Sequence, residues 1–349
     1  MRLCKSVTEL FEGCESKRPK SRRTMTLLIH PHCSLKCPYC VNNMGSDTPR
    51  PITAISTLGV DGYLAKLDAM VANWDLTAVP GGGEATESPY FVDLASGLLE
   101  RGALVHLETN THGVKNVEAL AKRHDLTGRV ISSTSYHLGA YLDHGIDPSK
   151  CRARIARLAA AGVTIGAIIT PMSPPVLADP QRYLDDVESI LEIVPGARVV
   201  PFELYHWYKG SEYPRSYTEA ERSALASIRK TVSYKVPPSS PLSPAITPHL
   251  QNWLVVPGQP CWVANYRATV GYGGRVRLCN HVTQTYAEGD LFGTEAIPCP
   301  GTVKTGCKQI CVEYCLAPMG VTLGEYFFAW YSEQGEGAKA KVFAEDGDV

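Results

Sequence analysis

Between about residues 25 and 230, six short apolar runs alternate with amphipathic stretches, and this alternation constrains the fold more than any other feature of the chain. The runs lie at 24–30, 75–81, 103–110, 129–137, 164–171 and 198–207, each short enough and β-branched enough to read as a buried strand. Helical periodicity fills 52–71, 89–100, 147–161, 179–194 and 218–230, with Gly102 and Gly162 as stop signals beyond two of these stretches. Repeated strand–helix units predict parallel strands joined by right-handed crossovers. Two closures satisfy the pattern: an open doubly wound sheet, or a full or partial barrel. Either one gathers ligands at the C-terminal ends of the strands. The polar residues of this sequence cluster there: His30 and Cys33 after the first run, Gly81 to Glu84 after the second, Glu108 to Asn110 after the third, Ser135 and His137 after the fourth.

The remaining segments divide the chain. Residues 1–24 form an N-terminal extension, 25–234 the repeating unit, and 235–250 a Pro- and Ser-rich linker. Residues 251–334 are a cysteine- and glycine-rich module in which metal bonds would supply folding energy that a small core cannot, and 335–349 form a tail. The formal net charge is −1, which gives no global basic field for nucleic acid or an anionic membrane. No apolar run reaches the roughly 18–20 residues that span a bilayer, and the N-terminus lacks the apolar region of a secretory signal, so the expected location is cytoplasmic.

Twelve cysteines demand an account. In a reducing compartment, clustered cysteines read as metal ligands or catalytic groups rather than disulfides. Cys4, Cys14 and Cys151 stand apart and read as small buried hydrophobes. Cys33, Cys37 and Cys40 have the spacing C-x3-C-x2-C, directly after the first strand. Three thiolates make an awkward structural zinc set unless His30 or His32 completes it. On a four-iron cluster, the same three leave one iron open to a ligand.

The triplet, with Tyr39 before its last cysteine, resembles the hallmark of radical S-adenosylmethionine (SAM) enzymes. Gly82-Gly83-Glu84-Ala85-Thr86 resembles the family's GGEPT segment, with Ala85 in place of the usual Pro. Glu108-Thr109-Asn110 ends the third strand where the family contacts ribose, and Ser135 ends the fourth where it offers SAM a polar group. The resemblance spans roughly residues 25–230. It implies an α/β partial (β/α)6 TIM-like barrel in which Cys33, Cys37 and Cys40 hold a SAM-binding 4Fe–4S cluster. Gly82, Gly83, Glu84, Glu108, Asn110 and Ser135 would then bind SAM, and Tyr39 would flank the adenine or simply fill the core. Taken singly, the glycines read as an ordinary strand-to-helix turn, and Glu108 and Asn110 as a polar strand end. A flavodoxin- or ferredoxin-type protein would deliver one electron, SAM would split, and a 5′-deoxyadenosyl radical would take hydrogen from an unactivated carbon.

The C-terminal cysteines extend the likeness. Cys261, Cys279, Cys299, Cys307, Cys311 and Cys315, with the G-x4-C unit from Gly274 to Cys279, resemble the SPASM and Twitch extensions, small α+β modules carrying auxiliary 4Fe–4S clusters. The last four run C-x7-C-x3-C-x3-C, which departs from the full SPASM pattern. Six thiolates suit one auxiliary cluster, held by Cys261, Cys279 and two of the rest; a second with incomplete cysteine ligation and a zinc knob are the alternatives. The expected reaction is oxidation or epimerisation of a small molecule such as a sugar or aminocyclitol, because few residues precede the first strand. Cross-linking, oxidation or epimerisation of a ribosomally made peptide is the alternative, and a non-catalytic iron–sulfur or zinc scaffold the reading from another class. His137, Glu203, His206 and Tyr213 are the candidates for proton transfer, though such residues at strand ends are often structural.

Overall fold

The computed structural model describes residues 2–4, 23–40, 51–69, 71, 74, 76–204, 207–233, 260–261, 267–277, 289–290, 297–299 and 303–304. In chain order the elements begin with β1 (Arg2–Cys4), β2 (Arg23–His30), α1 (Ala54–Asp68), β3 (Leu76–Gly82), α2 (Phe91–Glu100), β4 (Leu104–Thr109) and α3 (Val114–Ala121). Next come β5 (Val130–Ser135), α4 (Leu138–Asp143), α5 (Ser149–Ala160), β6 (Thr164–Pro171), α6 (Pro174–Leu177), α7 (Pro180–Ile193) and β7 (Arg198–Phe202). The short β8 (Trp207–Tyr208) and β9 (Ser211–Glu212) precede α8 (Glu219–Ser233). Beyond them lie β10 (Pro260–Cys261), β11 (Arg267–Val270), β12 (Arg275–Arg277), β13 (Gly289–Asp290), β14 (Ile297–Cys299) and β15 (Val303–Lys304).

Among the described residues, one nine-stranded sheet runs β13-β12-β11-β2-β3-β4-β5-β6-β7. From β11 to β7 every neighbour is parallel, and the helices between them supply the crossovers. This is the expected parallel α/β fold, a partial TIM-like barrel. One pairing was not foreseen. β11, from the cysteine-rich region, docks parallel to the free edge of β2, with Arg267 opposite Thr24 and Val270 opposite Leu27, so strands from both sides of residues 235–250 share a sheet.

Alternation along the strands sets the two faces. Met25, Leu27, Ile29, Ala78, Val105, Leu107, Ile165, Val199, Ala268 and Val270 join the helices in one apolar core. The opposite parity faces the inside of the barrel. There the register aligns Thr24 with Thr77, Thr26 with Thr269 and Val79, and Glu108 with Ser133. His106 bonds Ser133 across this face at 2.8 Å. The Thr77 and Thr269 hydroxyls are buried there without a hydrogen-bond partner among the described residues. The interior is therefore rich in hydroxyls and the outer core apolar.

Local signals set the helix ends. Thr53 accepts from the Ser56 amide at the start of α1, and Asp179 caps α7 ahead of Pro180. Thr218 and Glu221 form a reciprocal capping box before α8. β7 ends at Phe202, shorter than the run 198–207, because the chain turns there into β8 and β9. Among the described residues, no helix is long and apolar enough to cross a membrane.

Candidate functional site

The cysteine loop leaves β2 and folds back on itself. The Cys37 amide donates to the Leu35 carbonyl at 3.0 Å, and the Cys40 amide to the Cys37 carbonyl at 3.1 Å. Cys37 is buried, Cys33 and Cys40 are half-buried, and none is in a disulfide. The Cys33 thiol lies in the electrostatic field of Cys40, and the Cys37 thiol in that of both Cys33 and Cys40. Burial pushes the Cys33 thiol up to about 12 and raises that of Cys37 as well, with Glu84 and Glu87 adding to the effect at Cys33. Without a metal these groups stay protonated at neutral pH, and metal binding would have to release their protons. Among the described residues, no three His, Cys, Asp or Glu side chains are gathered tightly enough to enclose a single metal ion. His30 and His32 lie against each other, with ring centroids 5.3 Å apart.

The donor set suits the cluster implied by the resemblance: three thiols on one short loop, with a neutral amide donor aimed at one of them. That donor is Asn110, whose Nδ2 lies 3.1 Å from the Cys33 Sγ, while its Oδ1 accepts from the His112 amide at 2.9 Å. A second tether holds the next residue. Ser34 donates through its amide to Glu87 at 3.0 Å, and its hydroxyl meets both Glu87 and His112. Ser34, Glu87 and His112 were not singled out in the sequence. The only signal available was the position of Ser34 inside the cysteine motif and of Glu87 just after the GGE segment.

The GGE segment closes β3 against this loop. Gly83 donates to the His30 carbonyl at 2.6 Å and Glu84 to that of His32 at 2.7 Å. A β-carbon on Gly82 or Gly83 would overlap those carbonyls, and Gly82 has φ +120°. The close approach that the glycines permit is thus to the chain's own backbone. Glu84 is also turned inward. It is 2% exposed, and its carboxylate accepts from the Thr86 amide at 3.2 Å, the Thr109 hydroxyl at 2.8 Å, the Asn110 amide at 2.6 Å and the Thr86 hydroxyl. The carboxylate joins the ends of β3 and β4. Burial raises its pKa, and the hydrogen bonds pull the other way.

The remaining expected residues divide into those at the mouth and those elsewhere. Glu108 is the exposed residue of β4 and, by register, shares the inner face with half-buried Ser135 at the end of β5. Tyr39 is 8% exposed, and its hydroxyl meets the Nδ1 of His137 at 3.1 Å. His137 keeps some exposed surface, yet crowding around its ring holds its pKa down to about 4, so the imidazole is neutral at pH 7. Glu203 pairs with Arg229 of α8 at 2.9 Å. Tyr213 is buried edge-on between Tyr208 and Tyr217. The structure therefore brings together Cys33, Cys37, Cys40, Tyr39, Glu84, Asn110 and His137, and commits Glu203 and Tyr213 to other contacts. The backbones of Cys261 and Cys299 lie in β10 and β14, opposite Val303 and Arg2. Cys279, Cys307, Cys311, Cys315 and His206 lie outside the described residues.

No protein-family profile matches the sequence, and no curated protein matches it. Solved structures do. SuiB of Streptococcus suis bound to S-adenosylmethionine is similar over 78% of this chain at 14% identity, with a TM-score of 0.51. SuiB bound to its precursor peptide SuiA is similar over 78% at 15% identity, with a TM-score of 0.50. The chain spans 64% of the length of either relative. At this identity the likeness is one of fold: the chain shares a parallel α/β architecture with SuiB.

Proposed function

We propose that this protein is a radical SAM enzyme that modifies a peptide. The observation that carries the reading is the loop of Cys33, Cys37 and Cys40 at the C-terminal end of the first parallel strand, with Asn110 donating to Cys33. A fold shared with a SAM-binding structure supports it, and the precursor peptide bound by SuiB favours a peptide over the small molecule expected from the sequence. When bound, a reduced 4Fe–4S cluster and SAM supply a radical able to take hydrogen from an unactivated carbon. In this reading, Cys33, Cys37 and Cys40 hold three irons and leave the fourth open. Gly82, Gly83 and Glu84 shape the cofactor site through the loops they join, and Glu108, Asn110 and Ser135 offer polar groups at neighbouring strand ends. Tyr39 and His137 form its floor. Of the proton-transfer candidates, neutral His137 is favoured over the ion-paired Glu203 and the enclosed Tyr213. Cys261, Cys279 and two of Cys299, Cys307, Cys311 and Cys315 would hold one auxiliary cluster, with a flavodoxin- or ferredoxin-type donor supplying electrons.

Anaerobic reconstitution tests this. Iron and sulfide are counted, and 5′-deoxyadenosine is measured after adding SAM and dithionite. About eight irons with cleavage is the expected result, at four per cluster. Replacing Cys33, Cys37 and Cys40 by Ala should remove about four irons and all cleavage. Replacing Cys261 and Cys279 should remove the others and spare cleavage. Zinc uptake without cleavage would overturn the reading in favour of a metal scaffold.

A further inference from the structure

β11 is a parallel strand, so its C-terminal end opens onto the same rim of the barrel as the cysteine loop and the GGE segment. The chain turns there tightly. Gly271 donates to the Arg275 carbonyl at 2.7 Å and Gly274 to the Gly271 carbonyl at 2.9 Å, leaving Tyr272 at the tip. Two contacts fix the tip. The Tyr272 carbonyl accepts from the Ala54 amide at 2.6 Å, which pins the turn to the start of α1. Its side chain crosses back over the GGE segment, so that a β-carbon added to Gly82 would come within 2.7 Å of the phenol oxygen. Tyr272 is half-buried, and a phenol is protonated at neutral pH and so offers a hydrogen-bond donor. Three residues earlier, on β11, the buried Thr269 hydroxyl faces the barrel interior without a partner among the described residues.

We propose that Tyr272 is a positioning residue for SAM, its phenol donating a hydrogen bond to the methionyl carboxylate where the amino-acid end of the molecule passes over Gly82. This rests on the radical SAM reading. A ligand at an open iron held by Cys33, Cys37 and Cys40 would extend from the cysteine loop toward the GGE segment that packs against it, and the Tyr272 phenol lies over that segment at Gly82. The carboxylate is the acceptor-only group at that end of SAM and the natural match for a phenol. The consequence is structural as well as chemical. The cysteine-rich region does not merely follow the barrel; through β11 it supplies a wall of the cofactor site.

The test is equilibrium binding to anaerobically reconstituted, unreduced protein, using SAM and decarboxylated SAM as probes. Tyr272→Phe keeps the ring and its packing, and iron content and melting temperature check that it folds and loads as the wild type does. A hydrogen bond to a charged group predicts a Kd for SAM raised by about 10- to 100-fold in the variant, with the Kd for decarboxylated SAM unchanged. Equal SAM affinity in wild type and variant would overturn the inference. So would an equal loss for both probes, because the hydroxyl would then not address the carboxylate. A wild type that loads iron yet binds neither probe would instead overturn the radical SAM reading, and the two failures are read from different arms.

Discussion

The side-chain amide of Asn110 donates to the Sγ of Cys33 across 3.1 Å, joining the end of β4 to the first cysteine of the loop after β2. The His112 amide, bound to Asn110 Oδ1, sets which way the amide faces, so the NH2 group is the one presented to sulfur. A donor to a cluster thiolate stabilises the more negative, reduced state. Asn110→Ala should therefore make the potential of the cluster proposed on Cys33 more negative, and Asn110→Asp more so, since a carboxylate repels the thiolate. An EPR-monitored redox titration reads this directly. An unmoved potential in both variants would limit Asn110 to holding the loop.

Glu84 carries a prediction that needs no cofactor. Four donors converge on a carboxylate that is 2% exposed, and two of them are backbone amides, of Thr86 and Asn110. Deleting the carboxylate leaves buried donors without acceptors, at about 1–3 kcal/mol each. Glu84→Ala should lower the unfolding free energy of the apo-protein by about 3 kcal/mol or more, measured by denaturant titration. Were Glu84 to serve only a ligand, the loss in the apo-protein would stay within about 0.5 kcal/mol.

Much of this architecture was legible in the sequence because periodicity reports burial directly. Five of the six predicted strands and all five predicted helices lie within a few residues of the observed elements; the sixth, over 198–207, ends at Phe202. The pattern Val114, Val117 and Leu120 also marks α3. The place of β11 was not legible. Its residues alternate as a strand does, Arg267 and Thr269 with Ala268 and Val270, but its position is fixed by pairing with Thr24 to Leu27, far away in sequence. The same limit applies within the site. Residue type and spacing pointed to Glu84 and Asn110, but their partners depend on how the ends of β3 and β4 meet in space. Tyr272 left a trace only as an aromatic among the glycines of Gly271 to Gly274, at the end of a strand whose place in the sheet the sequence did not reveal.

The glycines of the GGE segment and those of ordinary turns should differ in their tolerance. At Gly83 a β-carbon would overlap the His32 carbonyl, so Gly83→Ala must push β3 away from the cysteine loop. At Gly102, φ is +88° but nothing lies within 4 Å of the added carbon. Gly102→Ala should cost about 1 kcal/mol, the ordinary strain of a left-handed alanine. Gly83→Ala should cost at least about 2 kcal/mol, as overpacking against backbone does, and should also reduce iron uptake at the cysteine loop. Melting curves and iron counts on both variants provide the comparison. Equal, small losses at the two positions would mean that the contact of Gly83 with His32 is loose.

His137 should make the fold acid-sensitive in a defined window. Its pKa falls from 6.5 to about 4 in the folded protein, first because its surroundings exclude the charged form and second because His112 lies nearby. Between those values the unfolded chain takes up a proton that the folded protein refuses, so stability is full above about pH 6.5 and declines as the pH drops toward 4. At pH 5 the loss is up to about 2 kcal/mol, an upper bound because solvent still reaches part of the residue. His112 is shifted down as well, again chiefly by burial, and adds to the same slope. His137→Gln keeps a polar group beside the Tyr39 hydroxyl and removes one of the two titrations. Denaturant midpoints at pH 7 and pH 5 should then show a smaller difference in the variant than in the wild type. Identical differences would place the acid sensitivity elsewhere, among the carboxylates or His112, and would mean that the imidazole beside Tyr39 gains its proton as readily folded as unfolded.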